Sequence, residues 1–154
     1  STRKESSAAS DVYKRQMSDS FILLIPQAHP LAKSRGPLRW ADTASAAHVS
    51  MVHPSSVRQY TEWAFLQNRI RFTPAFEAEH LTTIVAMVEC GFGVAALPEI
   101  AAGAVAQNGI VQRPLIGPVA ERSIGLVTAR NRSLPPAAAA LVATLREYLA
   151  DPAR

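Results

Sequence analysis

The sequence predicts an α/β fold built on an open sheet. Two observations carry this prediction: short apolar runs that end at a proline, and intervening segments in which apolar residues recur at helical spacing. Strands that alternate with helices favour parallel pairing through right-handed crossovers. The composition, 48% hydrophobic and 18% charged over 154 residues, is typical of a globular protein and not of a disordered one.

The first two predicted strands are separated by a polar loop. Phe21 to Ile25 is a continuous apolar run closed by Pro26, which is typical of a strand buried on both faces. Residues 48–52 alternate in polarity and stop before Pro54, which predicts the second strand.

Two helices are predicted in the middle of the chain. Ser55 and Ser56 occupy N-cap positions before a helix that runs to about Asn68. After an extended segment over residues 71–76, a second helix carries apolar residues at positions i, i+3, i+4 and i+7, namely Leu81, Ile84, Val85 and Val88. Gly91 is suited to the C-terminal cap of this helix because it adopts the left-handed conformation without a Cβ penalty.

The last third of the chain continues the alternation. We expect a strand over residues 93–97, a helix over 98–106 and a strand over 110–116. A further strand over residues 123–128 precedes a final helix, which Ser133 caps.

Composition and charge exclude several classes of protein. The longest uncharged stretch, residues 43–57, holds 15 residues with four Ser and two His, so it is unsuited to a membrane span. The single cysteine, Cys90, cannot form an internal disulfide, which favours a reducing compartment. Half of the net charge of +4 lies in residues 1–16, and the rest of the chain lacks the basic patch of a nucleic-acid-binding surface.

Residues 1–16 differ from the rest of the chain. They are polar, have no hydrophobic period and lack the apolar core of a signal peptide. Their end, Ser-Asp-Val-Tyr-Lys-Arg-Gln, also resembles adapter-derived sequence at the broken ends of environmental reading frames. We therefore expect a non-native or disordered leader over residues 1–16, with native sequence from about Met17.

Four segments, taken together, resemble the effector-binding domain of LysR-type transcriptional regulators. They are residues 21–32, Ser56-Val57-Arg58, residues 83–98 and the stretch from Arg122 through Ser133 into the Pro-Ala-Ala helix. The resemblance covers about residues 20–150. It implies an α/β fold like the type 2 periplasmic binding proteins, in which two Rossmann-like lobes are joined by two crossover strands and hold a small effector between them.

The resemblance also implies a division of the chain. Residues 17–37, including the apolar run Phe21 to Ile25, would be the end of lobe I and a crossover. Residues 38–116 would be a complete lobe II, and residues 117–154 the return crossover with the C-terminal strand and helix of lobe I. Lobe I would be partial, and the winged helix-turn-helix of the family has no counterpart, so we expect a fragment.

The implied function is that of a non-enzymatic sensor domain. We expect a small-molecule effector, no cofactor, no metal and no membrane, a homo-oligomeric parent protein in the cytoplasm, and DNA contacts only through the missing N-terminal domain. An extracytoplasmic solute-binding protein of similar fold is the alternative, which the missing signal peptide disfavours. A small α/β enzyme is disfavoured because no catalytic constellation is recognisable.

The candidate effector-binding residues form two groups: Ser55, Ser56, Val57 and Arg58, then Glu77, Ala78 and Glu79. The first group opens a helix after a strand, where free amides and the helix dipole favour an anion, although a plain N-cap explains the serines equally well. Arg58 could pair with an effector carboxylate, be solvated, or bind a neighbouring acidic side chain.

The second group lies where a strand ends and a helix begins, the segment that forms the lobe II wall in the family. Two carboxylates there favour an amine-bearing or polar effector, unless they turn away to cap the helix. We expect capping for Glu79 and leave both interpretations open for Glu77. Cys90 is expected to be a buried apolar residue, and the four histidines show no metal-ligand spacing.

Overall fold

The computed structural model describes residues 11–105, 109–129 and 133–150 of the chain. Its strands are β1 (Asp11–Pro26), β2 (Leu38–Arg39), β3 (Val49–Met51), β4 (Phe76–Ala78), β5 (Ala95–Pro98), β6 (Ile110–Ile116) and β7 (Glu121–Ala129). Its α-helices are α1 (Ser56–Gln67), α2 (Leu81–Glu89), α3 (Glu99–Val105) and α4 (Pro136–Ala150).

The chain divides into two compact units. Unit 1 comprises the chain up to Ser18 and from Ser123 onward, and unit 2 comprises Asp19–Arg122. Strands β1 and β7 each contribute residues to both units. Strand β1 begins at Asp11, six residues before the expected native start at Met17, while residues 1–10 of the expected leader lie outside the described part of the chain.

The sheet of unit 2 is mixed and not uniformly parallel. Its order is β2-β6-β1-β5, and a parallel bridge between His48 and Val94 connects it to the parallel pair β3-β4. Strands β2 and β6 are also parallel, as expected. Strand β1 is the exception, because it runs antiparallel to both β5 and β6.

Strand β1 lies in the middle of the sheet of unit 2. Phe21 to Ile25, which the sequence analysis assigned to the end of lobe I, pairs with β5 and β6 within this unit. The prediction that this run is buried on both faces is confirmed, since each of its side chains is at most 5% exposed. An apolar run shows that a strand is central, but it carries no information about direction or partners.

The helices of unit 2 form where the apolar spacing predicted them. Helix α1 buries Val57, Ala64 and Phe65, and α2 buries Ile84, Val85 and Val88. These side chains join the apolar residues of β1 and β5 and the fully buried Trp40 in one core. Each such side chain contributes roughly 1.5–3 kcal/mol by leaving water, so the helix positions are fixed by packing more than by propensity.

Both helices end in a left-handed residue. Gly91 follows α2 with φ of 80°, and the amides of Gly91 and Phe92 bond back to Val88 O and Met87 O at 2.9 and 3.0 Å. This is the Schellman motif that the sequence predicted for Gly91. Arg69 occupies the equivalent position after α1, with φ of 58°. In this left-handed conformation a residue with a Cβ atom is strained, whereas glycine is not.

Unit 1 contains the first part of β1, most of β7 and α4. Strand β7 pairs with β1, and α4 begins at Pro136, three residues after the Ser133 that we expected to cap it. An apolar groove of about 320 Å³ lies against α4, lined in part by Ile124, Leu126 and Leu145. The outer side chains of α4 are exposed, so this unit has an uncovered apolar surface.

Candidate functional site

The candidate site lies at the carboxyl ends of β3 and β4. These strands are parallel, Met51 pairs with Ala78, and the amide of Val52 donates to Ala78 O at 3.1 Å. The structure therefore brings the two predicted residue groups to one edge of unit 2, at the starts of α1 and α2. We call this edge, from Ser55 to Arg58 and from Glu77 to His80, the effector edge.

Both helices that begin at this edge have open first turns. Ser55 is the N-cap residue of α1 and His80 that of α2, and neither side chain forms a capping hydrogen bond. The first helical bonds are donated by Gln59 to Ser55 O and by Ile84 to His80 O, at 3.0 and 3.1 Å. The preceding amides of each helix are therefore available to an acceptor, and the helix dipoles favour a negative one.

Arg58 is bound to protein carboxylates. Its Nε donates to Glu62 Oε1 at 2.7 Å, and its Nη1 donates to Glu77 Oε1 at 2.5 Å and to Met51 O at 3.3 Å. Burial alone would lower the pKa of Arg58, but the hydrogen bonds from its guanidinium to the two glutamates outweigh burial and raise the pKa above its ordinary value. Among the interpretations left open for Arg58, the structure shows its pairing with neighbouring acidic side chains.

The ion pairs also hold Glu62 ionised. Burial would raise the pKa of Glu62, but hydrogen bonds from Arg58 and from His53, whose Nε2 lies 3.1 Å from Glu62 Oε1, lower it. Glu62 is a site residue that the sequence analysis missed. The signal was present, since Arg58 and Glu62 stand at i and i+4 on a predicted helix.

Glu77 links the effector edge to this ion pair. One of its oxygens accepts from Arg58, and its side chain is 45% exposed. Arg58, Glu62 and Glu77 together comprise one cation and two carboxylates, so the cluster has a net negative charge. This charge favours a hydrogen-bond donor or a cation on a ligand.

Two expectations about single residues are wrong. Glu79 does not cap α2: it is exposed, and the N-cap position belongs to His80. Cys90 is exposed and not buried. It lies two residues beyond Val88, which is about 200° around a helix from the buried face.

A buried carboxylate that the sequence analysis did not anticipate anchors the third helix start in unit 2. Asp19 is 1% exposed, its Oδ1 accepts from the amide of Ile100 at 3.0 Å, and its Oδ2 accepts from Arg122 Nε at 2.9 Å. Asp19 thereby joins β1, β7 and the first turn of α3. Its sequence context, Ser-Asp-Ser before an apolar run, resembles an ordinary polar flank and gives no signal of burial.

The chemistry of the effector edge is that of binding. Amide groups at two helix starts can donate to oxygen atoms of a ligand, and Glu77 can accept from its donors. Among the described residues no three His, Cys, Asp or Glu side chains are grouped as a metal site requires. Within the same residues no helix is both long and apolar enough to cross a bilayer.

Comparison with known sequences identifies a family. The family model described as the LysR substrate binding domain matches residues 4–150. The regulator YbhD of Escherichia coli K12, named as an uncharacterised HTH-type transcriptional regulator, is 28% identical over 135 residues, which is 88% of this chain and 42% of YbhD. YfeR of Shigella flexneri, named in the same way, is 31% identical over 131 residues, covering 85% of this chain and 42% of YfeR. The chain thus spans less than half the length of these relatives.

Solved structures agree on the fold. The effector-binding domain of QuiR in complex with shikimate superposes with a TM-score of 0.76 at 20% identity, covering 93% of this chain and 67% of that one. The regulatory domain of CcmR from Synechocystis PCC6803, in complex with 2-PG, gives a TM-score of 0.81 at 12% identity, with 95% and 70% coverage. The family match over nearly the whole chain sets aside the solute-binding and enzyme alternatives. The chain belongs to the LysR substrate-binding domain family, a non-enzymatic family of transcriptional regulators.

Proposed function

We propose that the effector edge of unit 2 binds a small metabolite that has an oxygen-rich end and a hydrogen-bond donor. The observation that carries this proposal is the juxtaposition of two open helix starts with the carboxylate of Glu77. In this assignment unit 2 corresponds to lobe II and unit 1 to part of lobe I. Ser55, Ser56 and Val57 serve the acceptor end of the ligand, while Glu77, Ala78 and Glu79 serve its donor end.

The solved relatives support a small ligand. QuiR was solved with shikimate and CcmR with 2-PG, so the shared fold accommodates small metabolites in those proteins. By extension, the regulator to which this chain belongs is proposed to be a cytoplasmic homo-oligomer that contacts DNA through a segment outside residues 1–154. Effector binding would then act by favouring one arrangement of the oligomer over another.

Ligand-induced thermal shifts of the 154-residue chain test the proposal. The panel contains malate and shikimate, which lack an amine, and glutamate and lysine, which carry one. Glu77→Gln keeps an acceptor but removes the charge, so it should weaken the amine-bearing ligands selectively and change the ranking. Replacing Ser56 with Ala should change the ranking and the stability little, because the N-cap of α1 is Ser55 and the proposed contacts at the helix start are made by backbone amides.

The matched control is Glu89→Gln, the same substitution at the other end of α2. It should leave the ranking unchanged. An identical ranking for the wild type and Glu77→Gln would remove Glu77 from the site. The absence of any shift with this panel and with wider panels of small metabolites would contradict binding at this edge.

A further inference from the structure

A second concavity of unit 2 lies beside the effector edge. It is an open groove of about 970 Å³ between α1 and the segment of residues 69–74 that leads into β4. Its lining includes Arg58, Glu62 and Glu77, and also Leu66, Arg69 and Arg71. A volume of this order is typical of sites for small organic ligands.

The arginines of the groove differ in whether they have a partner in the protein. Arg58 is engaged by Glu62 and Glu77, as described above. Arg69 and Arg71 are exposed, and within the described part of the chain neither side chain forms an ion pair or a hydrogen bond. Two guanidinium groups therefore remain to attract an anion, and a carboxylate matches their geometry in a bidentate way.

Backbone hydrogen bonds hold the main chain at Arg69 in place. The amides of Arg69 and Ile70 bond back to α1 at 2.8 and 3.0 Å, and Asn68 Nδ2 donates to Gly117 O at 2.8 Å. Arg69 keeps a left-handed φ of 58° at a position where glycine is the relaxed choice. A strained backbone that carries an exposed, unpaired cation is an observation that points to a role for the side chain.

The rest of the groove is apolar and includes an aromatic ring. Phe72 stacks on Phe65 with centroids 4.9 Å apart and a 21° interplanar angle, which fixes its ring at the groove. Leu66 also lines the groove and is 67% exposed. Arg58 Cζ lies over the Phe72 ring, 5.2 Å from its centroid, so Phe72 and Leu66 give the groove an apolar lining next to the two cations and not a free ring face.

We propose that this groove is a second ligand site, which binds a small carboxylate with an aromatic body. The site uses Arg69, Arg71 and Phe72 and not the helix amides of the effector edge, so it does not depend on the function proposed above. Arg58 and Glu77 line the groove and also belong to the effector edge, so reciprocal coupling between the two sites, unlike binding in the groove itself, rests on the function proposed above.

The test is a titration of the isotope-labelled chain with benzoate, followed by backbone amide chemical shifts at neutral pH. Saturable shifts should centre on residues 69–74. Benzamide, which lacks the charge, and acetate, which lacks the ring, should each bind at least about tenfold more weakly. The double variant Arg69→Gly/Arg71→Gln should lose at least about tenfold in benzoate affinity.

Two controls separate this loss from misfolding and from a general charge effect. Arg69→Gly relieves the left-handed backbone, so its melting temperature should not fall. Arg35→Gln removes an exposed arginine outside the groove and should leave benzoate affinity within about twofold of the wild type. The proposal is overturned by the absence of saturable shifts up to about 20 mM benzoate, by equal binding of acetate, by unchanged affinity in the double variant or by an equal loss in Arg35→Gln.

Discussion

Arg58 shows how one side chain can stabilise the fold and also orient a residue of the candidate site. Its guanidinium is 8% exposed, lies 5.2 Å from the Phe72 ring centroid and bonds to two glutamates. The desolvation of a cation is costly, and its ion pairs offset that cost only while both partners are present. The same contacts orient Glu77 at the effector edge, so the geometry of the edge depends on Arg58 even if no ligand touches it.

Arg58→Gln is expected to destabilise unit 2 by about 2 kcal/mol. This is less than for a fully buried pair, because Glu62 and Glu77 are 36% and 45% exposed and water compensates them in part. Removing the cation leaves two neighbouring carboxylates and the carbonyl of Met51 without their donor. Urea unfolding of the wild type and the variant measures the difference.

The same experiment has a pH dependence of known sign. The pKa of Glu62 in the folded protein lies below its ordinary value of 4.5. Its contribution is therefore present above that value and is lost as the pH falls through the folded pKa. The gap between wild type and Arg58→Gln should shrink from about pH 7 to about pH 3. An undiminished gap at acid pH would mean that lost packing, and not lost charge, destabilises the variant.

At the scale of elements, periodicity predicts helices and strands but not their partners. The spacing in residues 81–88 predicted α2 because a helix that packs on a sheet must bury one face. The strand predicted over residues 110–116 has the bounds of β6. The last residue of the predicted third helix, 106, lies outside the described residues. The antiparallel direction of β1 had no local signal, since it depends on where the chain crosses into the sheet of unit 2.

The geometry of the candidate site was predictable only in part. Ser55 follows β3 and Glu77 lies near the end of β4, and such strand ends meet at one edge when the strands are parallel. The pairing of Arg58 with Glu77, 19 residues apart, required the tertiary structure, because no pattern shows which carboxylate a buried arginine meets. Asp19 was missed for the same reason.

Asp19 is expected to be the most sensitive polar position among β1, β7 and α3. Asp19→Asn can still accept from the amide of Ile100, but it leaves Arg122 without its carboxylate. Because Asp19 is buried and Arg122 is only 26% exposed, the loss should be about 3 kcal/mol by urea unfolding. Asp42→Asn breaks the exposed pair with Arg39 and serves as the control, with little change expected. Equal effects of the two variants would show that the Asp19 pair is no stronger than a surface pair.

At the scale of the whole molecule, the buried apolar residues are concentrated in one unit. Every fully buried apolar side chain among the described residues lies between Phe21 and Ala120, within unit 2. In unit 1, Leu141, Leu145 and Tyr148 are 60%, 43% and 56% exposed. Phe21–Ile25 is buried, whereas the apolar side chains of α4 are exposed.

Residues 19–122 are therefore expected to fold alone as a monomer that unfolds cooperatively, while the full chain self-associates with rising concentration. The excised unit keeps the core and the Asp19–Arg122 pair, since both lie within its bounds. The full chain adds the exposed face of α4, and apolar surface of this kind drives association. Sedimentation velocity over a concentration series, with urea unfolding of the excised unit, measures both properties. Leu141→Gln/Leu145→Gln should reduce the association without destabilising unit 2. A full chain that stays monomeric at all concentrations, or an excised unit without a cooperative transition, would contradict this separation of the core from the exposed face.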